Sequence, residues 1–172
     1  KAQAVQSPRW DATVRQGIND FIAAYGKDSP NYDKNNHPYA VFDFDNTTSI
    51  LDVGEQLEVW QLDHLQFAVP PTQMKSVLMT GIPADKLDAI RAAVSYFKVP
   101  GVKDVLAMTN KVDANGRYLN QYDYDLHPQT QGVGKAETLA KILVPKYKGH
   151  GPSFTAMDSQ GDFNFCTEFK DT

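Results

Sequence analysis

The run Tyr39-Ala40-Val41-Phe42-Asp43-Phe44-Asp45-Asn46-Thr47-Thr48 constrains this chain more than any other stretch, because two carboxylates follow directly on an apolar, strand-like segment. Side chains along a strand alternate between faces, so Asp43 and Asp45 share one face while Phe42 and Phe44 point to the other, toward a core. Two like charges so close repel each other. A site that keeps both ionised at neutral pH calls for a cation, and hard carboxylate oxygens suit Mg²⁺. The competing reading is an Asp-rich turn closing a strand, with Asn46 and Thr47 as turn or helix-cap formers.

The same grammar returns near the other end, where Phe154-Thr155-Ala156-Met157 runs into Asp158 and Ser159, followed by Gly161 and Asp162. Between the two, Gly132-Val133-Gly134-Lys135 opens an amphipathic helix carrying Leu139, Ile142 and Leu143. Elsewhere, Ser7-Pro8 reads as the start of a helix bearing Trp10, Val14, Ile18, Phe21, Ile22 and Tyr25, which Gly26 can end. Residues 27–37 form a polar loop. A helix is expected over Val53 to Phe67, with Pro70-Pro71 as its stop, then a short one capped by Thr72. After the break at Gly81-Ile82-Pro83, Ala84 to Phe97 reads as a helix, Val102 to Met108 as a strand, and Lys111 to Leu119 as a hairpin turning on Asn115-Gly116. Alternating strands and helices predict an α/β layer with a largely parallel sheet and a ligand at the strands' carboxyl ends.

With 172 residues, 41% apolar content and a net charge of −4, the chain can bury one core, with room for a small accessory cap. No apolar stretch approaches the length of a membrane span, and no Lys/Arg-rich block offers a nucleic-acid surface. Cys166 is the only cysteine, which excludes an internal disulfide and a Cys-based zinc site and leaves a small core residue. His37, His64, His127 and His150 lack ligand spacing and read as solvent-facing or satisfied core residues. The start at Lys1 rather than Met fits removal of a signal peptide and trimming of the chain equally well.

A strand ending in Asp-x-Asp-x-Thr, a later Lys, and a strand ending in Asp-Ser-x-x-Asp, in that order, resemble the haloacid dehalogenase-like phosphohydrolases. Within that superfamily the chain looks like the secreted or periplasmic branch that includes phosphorylcholine phosphatase and phosphoserine phosphatase-like enzymes. The resemblance runs from about Trp10 to Thr172. It implies a Rossmann-like α/β core, its mostly parallel sheet flanked by helices, with a small helical cap. Residues 1–50 would supply the first helix and catalytic strand, 51–90 the cap segment and 91–172 the rest of the core.

The resemblance also implies a chemistry, namely Mg²⁺-dependent hydrolysis of a small phosphorylated metabolite such as phosphocholine or phosphoserine. Asp43 would be the nucleophile, forming an aspartyl-phosphate, and Asp45 the general acid and base. Mg²⁺ would be held by the side chains of Asp43 and Asp158 and the backbone carbonyl of Asp45, with Asp162 acting behind them. Thr47 would orient the acid/base on the substrate side, and Glu55 would meet a substrate ammonium, with Trp60 near enough for cation–π attraction. For Asp52, Glu55 and Glu58 the residues alone read as a solvated helix face. Lys135 would neutralise the nucleophile and the phosphoryl oxygens; the competing reading is an exposed lysine at a helix start. A cation is disfavoured at the positive end of a helix dipole, which argues for a functional use.

One element of the family pattern lacks a clean copy: a strand ending in Ser or Thr that grips the phosphoryl oxygens. Thr109 is the only textual candidate. The family layout leads us to expect missing cap and core sequence around Gly81 to Ile90, and hence additional residues between Met79 and Val94 that carry this hydroxyl. The alternative function is a catalytically weak metal- or ligand-binding protein that keeps the acidic pocket. A third reading takes Asp113-x-Asn115-Gly116 and Asp158-x-x-Gly161-Asp162 as Ca²⁺ loops, although neither carries the full ligand ladder.

Overall fold

The computed structural model describes residues 4–52, 56, 59–60, 63–64, 86–115, 118–125 and 130–169. Helix α1 spans Ala12–Tyr25 and strand β1 Ala40–Phe42; helix α2 spans Lys86–Tyr96. A hairpin of β2 (Asn110–Val112) and β3 (Tyr118–Tyr122) follows, then α3 (Val133–Thr138). That helix widens into a π-helical turn over Leu139–Leu143 and ends as α4, Val144–Lys146. Strand β4 (Phe154–Ala156), a 3₁₀ turn (Gln160–Asp162) and α5 (Phe163–Thr167) close the described chain.

The centre of this mixed α/β arrangement is a two-stranded parallel sheet pairing the strands from the two Asp-terminated motifs. Ala40 lies opposite Phe154, Val41 opposite Thr155 and Phe42 opposite Ala156. Backbone bonds extend the ladder at both ends, from Ser153 N to Tyr39 O and from Asp43 N to Ala156 O, each 2.9 Å. So short a sheet needs cover on its faces to persist, and it has cover on both. On one face Phe154 meets Phe42 and Phe21 of α1, with ring centroids 5.8 and 5.6 Å apart. On the other, Tyr39 and Val41 pack against the buried cluster of Ala136, Leu139, Leu143 and Phe165. This reverses the expected facing of β1: Tyr39, Val41 and Asp43 share the face toward the larger core, while Phe42 lies on the α1 side and stays exposed.

The π turn has a local cause. Pro145 has no N–H to give, and its ring would collide with the carbonyl four residues back in a regular helix. Widening the turn, with Val144 N–H bonding to Leu139 O, avoids that collision and keeps Leu139 and Leu143 in the core. A second small core forms where Ile90 of α2 and Ala107 bury against Phe44, Val94 and Val105.

Other expectations need correction. Helix α1 begins at Ala12 rather than at Ser7-Pro8, because Asp11 caps it by accepting from Thr13 N and Val14 N. Val102 to Met108 forms no strand; apolar residues predict burial but not a hydrogen-bonding neighbour, and this segment makes no ladder among the described residues. It is tied down instead by Asp104, which accepts twice from Lys146 Nζ at 2.7 Å. The hairpin forms, but Asn115 does not adopt positive φ; Asp113 Oδ1 turns the chain by accepting from Asn115 N at 2.8 Å.

Of the expected cap, Leu51 and Asp52 lie in no helix, Gln56, Val59, Trp60, Asp63 and His64 are helical, and the remaining residues up to 85 lie outside the described residues. So does residues 79–85 of the interval where further sequence is expected; from Lys86 onward that interval is α2. Among the described residues, no helix is long and apolar enough to cross a membrane.

Two outcomes follow from the packing. Phe165 is 2% exposed at the centre of the larger core, so Phe165→Ala should cost about 3–5 kcal/mol in urea unfolding. The Tyr39 phenol, stacked on Tyr147 at 4.0 Å and donating to His150 O, is pushed up to about 12 by burial and by its tyrosine neighbour, from 10.0. The folded state thus holds this proton more tightly than the unfolded chain does. Its contribution is complete below about pH 10 and drains away as pH climbs toward 12. The urea midpoint should fall more steeply over that range in the wild type than in Tyr39→Phe.

Candidate active site

Asp43 is the first residue after β1, and its backbone is held on both sides. Its N–H extends the sheet ladder to Ala156 O, and its carbonyl accepts from Thr48 Oγ1 at 2.8 Å. The chain then closes into a hydrogen-bonded turn, where Thr48 N and Ser49 N both donate to Phe44 O and Asn46 adopts φ 59°. Asn46 Oδ1 accepts from Leu51 N at 3.2 Å, which ends the turn. The Ser/Thr hydroxyls at 48 and 49 were absent from the sequence expectations. The available signal was their spacing after a carboxylate-bearing strand, from which short hydroxyl side chains reach back to nearby carbonyls.

Lys135 reaches the same point from α3. Gly132 caps that helix with φ 55° and ψ −131°, a conformation open to glycine and strained for any other residue. Gly132 N donates to Gly161 O at 2.9 Å, joining the helix start to the turn after β4. From there the Lys135 ammonium donates to Asp43 Oδ1 at 2.5 Å and to Asp162 Oδ1 in a very short contact. It also lies 5.8 Å from the centroid of the Phe165 ring, a cation–π contact. Burial alone would push the ammonium's pKa down; hydrogen bonds and charges from Asp162 and Asp43 outweigh it and hold the pKa above the ordinary lysine value. Lys135 therefore stays charged at neutral pH. This is not the exposed lysine of the competing reading.

Asp162 is buried, with its second oxygen accepting from Ser159 Oγ at 3.2 Å. Asp158 is exposed. Ligand oxygens of Asp43, Asp158 and Asp162 all lie within 4.8 Å of one another. Two carboxylates on one ammonium, with a third beside them, leave excess negative charge, and an all-oxygen donor set of this kind suits a hard divalent cation such as Mg²⁺.

The remaining expected residues fall as follows. Asp45 is half-buried in the turn, and its carboxylate lies outside that three-carboxylate group; the contribution expected of it to the metal was its backbone carbonyl. Thr47 is half-buried, and its Oγ1 has no partner among the described residues. Glu55 lies outside the described residues. Trp60 is 46% exposed and stacks on His64 at 4.6 Å, so it is not a core residue. Thr109 is half-buried just before β2, its carbonyl accepting from Asp123 N. Asp113 Oδ1 accepts from Asn115 N within its own turn, and Asp113 is not part of the group formed by Asp43, Asp158 and Asp162.

Lys135→Met should destabilise the fold by about 3–5 kcal/mol, because it leaves the buried Asp162 carboxylate uncompensated. Adding Asp162→Asn should return part of that loss, giving strongly non-additive urea midpoints.

No protein-family model, no curated protein and no solved structure matches this chain.

Proposed function

We propose that this chain is a Mg²⁺-dependent phosphomonoester hydrolase of the haloacid dehalogenase-like type, with a Rossmann-like core and helical cap, acting on a small phosphorylated metabolite such as phosphocholine or phosphoserine. The observation that carries the reading is the Lys135 ammonium bridging Asp43 and Asp162, with Asp158 drawn into the same cluster. Asp158 adds a third carboxylate beside that salt bridge, a donor set that suits a hard cation.

In this reading the Asp43 oxygen not engaged by Lys135 attacks phosphorus while the ester P–O bond breaks, and Asp45 protonates the departing alkoxide. Asp45 then takes a proton from water, which attacks the aspartyl-phosphate and releases inorganic phosphate and the free Asp43 carboxylate. Lys135 holds Asp43 in one orientation and faces the negative charge that builds on the phosphoryl oxygens. Asp43, Asp158 and the Asp45 carbonyl would hold Mg²⁺, which supplies charge neutralisation at the phosphoryl group. Thr47 and Glu55 belong to the substrate side of the proposal, and a periplasmic or secreted location follows from the same family resemblance.

Hydrolysis of phosphocholine and p-nitrophenyl phosphate, with Mg²⁺ and with a chelator, tests the proposal. Turnover should require Mg²⁺, and Asp43→Asn should lower kcat by about a thousandfold or more while leaving the far-UV circular dichroism unchanged. Asp45→Asn should slow both steps and accumulate phosphoenzyme. Near-normal turnover by Asp43→Asn would exclude covalent catalysis at that residue. Mg²⁺ binding without any turnover would instead favour the catalytically weak binding protein.

A further inference from the structure

We infer that Ser159 is a positioning residue that sets Lys135 on the nucleophile by fixing the carboxylate of Asp162. For its kinetic consequence the inference rests on the phosphatase reading; for its structural consequence it does not.

The two oxygens of Asp162 have separate tasks. Oδ1 accepts from the Lys135 ammonium, and Oδ2 accepts from Ser159 Oγ at 3.2 Å. A buried carboxylate rotates about its terminal torsion unless both oxygens are engaged, because that torsion is broad. With Lys135 as sole partner, carboxylate and ammonium could swing together, and the 2.5 Å contact to Asp43 Oδ1 would be the first to lengthen. Ser159 blocks that swing from the solvent side, since it is exposed while Asp162 is buried.

The backbone suits this task. Ser159 precedes the 3₁₀ turn in extended conformation, with φ −137° and ψ 165°, and Asp162 N donates to Ser159 O at 3.2 Å. Side chain and main chain of Ser159 therefore both close on Asp162. A Cβ at Gly161 would meet Ser159 Oγ at 3.4 Å, an ordinary van der Waals contact, so this turn packs closely on the hydroxyl. Gly161 O in turn accepts from Gly132 N, which fixes this turn to the helix that carries Lys135.

The test uses Ser159→Ala, which removes the hydroxyl, and Ser159→Thr, which keeps it on a residue suited to extended backbone. Ser159→Ala should lower kcat by about tenfold with KM little changed, the size expected for losing a hydrogen bond to a charged group that water partly replaces. Ser159→Thr should recover most of that loss. A second arm, independent of activity, is a urea double-mutant cycle of Ser159→Ala with Lys135→Gln, or with Lys135→Arg if the glutamine variant does not fold. Although no hydrogen bond joins Ser159 directly to Lys135 among the described residues, the cycle should be non-additive, with Ser159→Ala shifting the midpoint less when Lys135 is altered. Additive midpoints, or unchanged kcat in Ser159→Ala, would overturn the inference. A coupled cycle in a protein that hydrolyses no phosphomonoester would sink the phosphatase reading and leave the positioning role standing.

Discussion

One ammonium group decides where three parts of this chain lie. Asp43 ends a strand and Asp162 ends a 3₁₀ turn, and their like charges would push those two elements apart without a cation between them. Lys135 supplies the cation from the first turn of a helix, where the helix dipole works against it. Paired with two carboxylates it offsets that penalty, and its own pKa moves up rather than down despite burial. The bond from Gly132 N to Gly161 O fixes the same junction through the backbone, so a charged and a neutral contact define one geometry.

The parallel sheet makes that junction possible, and it is too small to stand alone. Two three-residue strands persist because aromatic rings cover one face and the Leu139, Leu143 and Phe165 cluster covers the other. The π turn forced by Pro145 belongs to the same arrangement. It lets one helix pass the proline while its buried leucines stay over Val41 and its first turn stays over Asp43. Core packing and site geometry thus share residues from adjacent positions of single elements, and a core change at Phe165 also touches the surroundings of Lys135.

The junction was legible in sequence because its parts repeat a local rule: an apolar segment followed at once by an acid predicts a carboxylate at a strand's carboxyl end. Gly132 and Gly134 before Lys135 mark a helix start, where a cation is disfavoured by the dipole and so argues for a functional use. Less local features were not legible. Alternation along β1 divides its residues into two faces, but it cannot say which faces the larger core when both are covered, and Phe42 was assigned to the wrong one. The apolar run from Val102 to Met108 carries the composition of a strand, yet a strand needs a neighbour, and composition does not encode pairing. Asp11 outcompeted Ser7 as a helix cap because its oxygen reaches two free N–H groups, a contest between nearby candidates that spacing leaves open.

The three clustered carboxylates are unequal in a way that bears on what the site can do. Asp162 is buried with both oxygens engaged, so it acts as part of the scaffold. Asp43 gives one oxygen to Lys135 and keeps its backbone locked, which fixes the direction of the other oxygen. Asp158 is exposed and forms no ion pair among the described residues. Under the proposed function a cation would therefore meet least competition at Asp158, beside an Asp43 carboxylate that Lys135 already holds in one orientation. Grading from a buried, fully engaged Asp162 to an exposed Asp158 would let a cation enter without first breaking the bridge between Lys135 and Asp162.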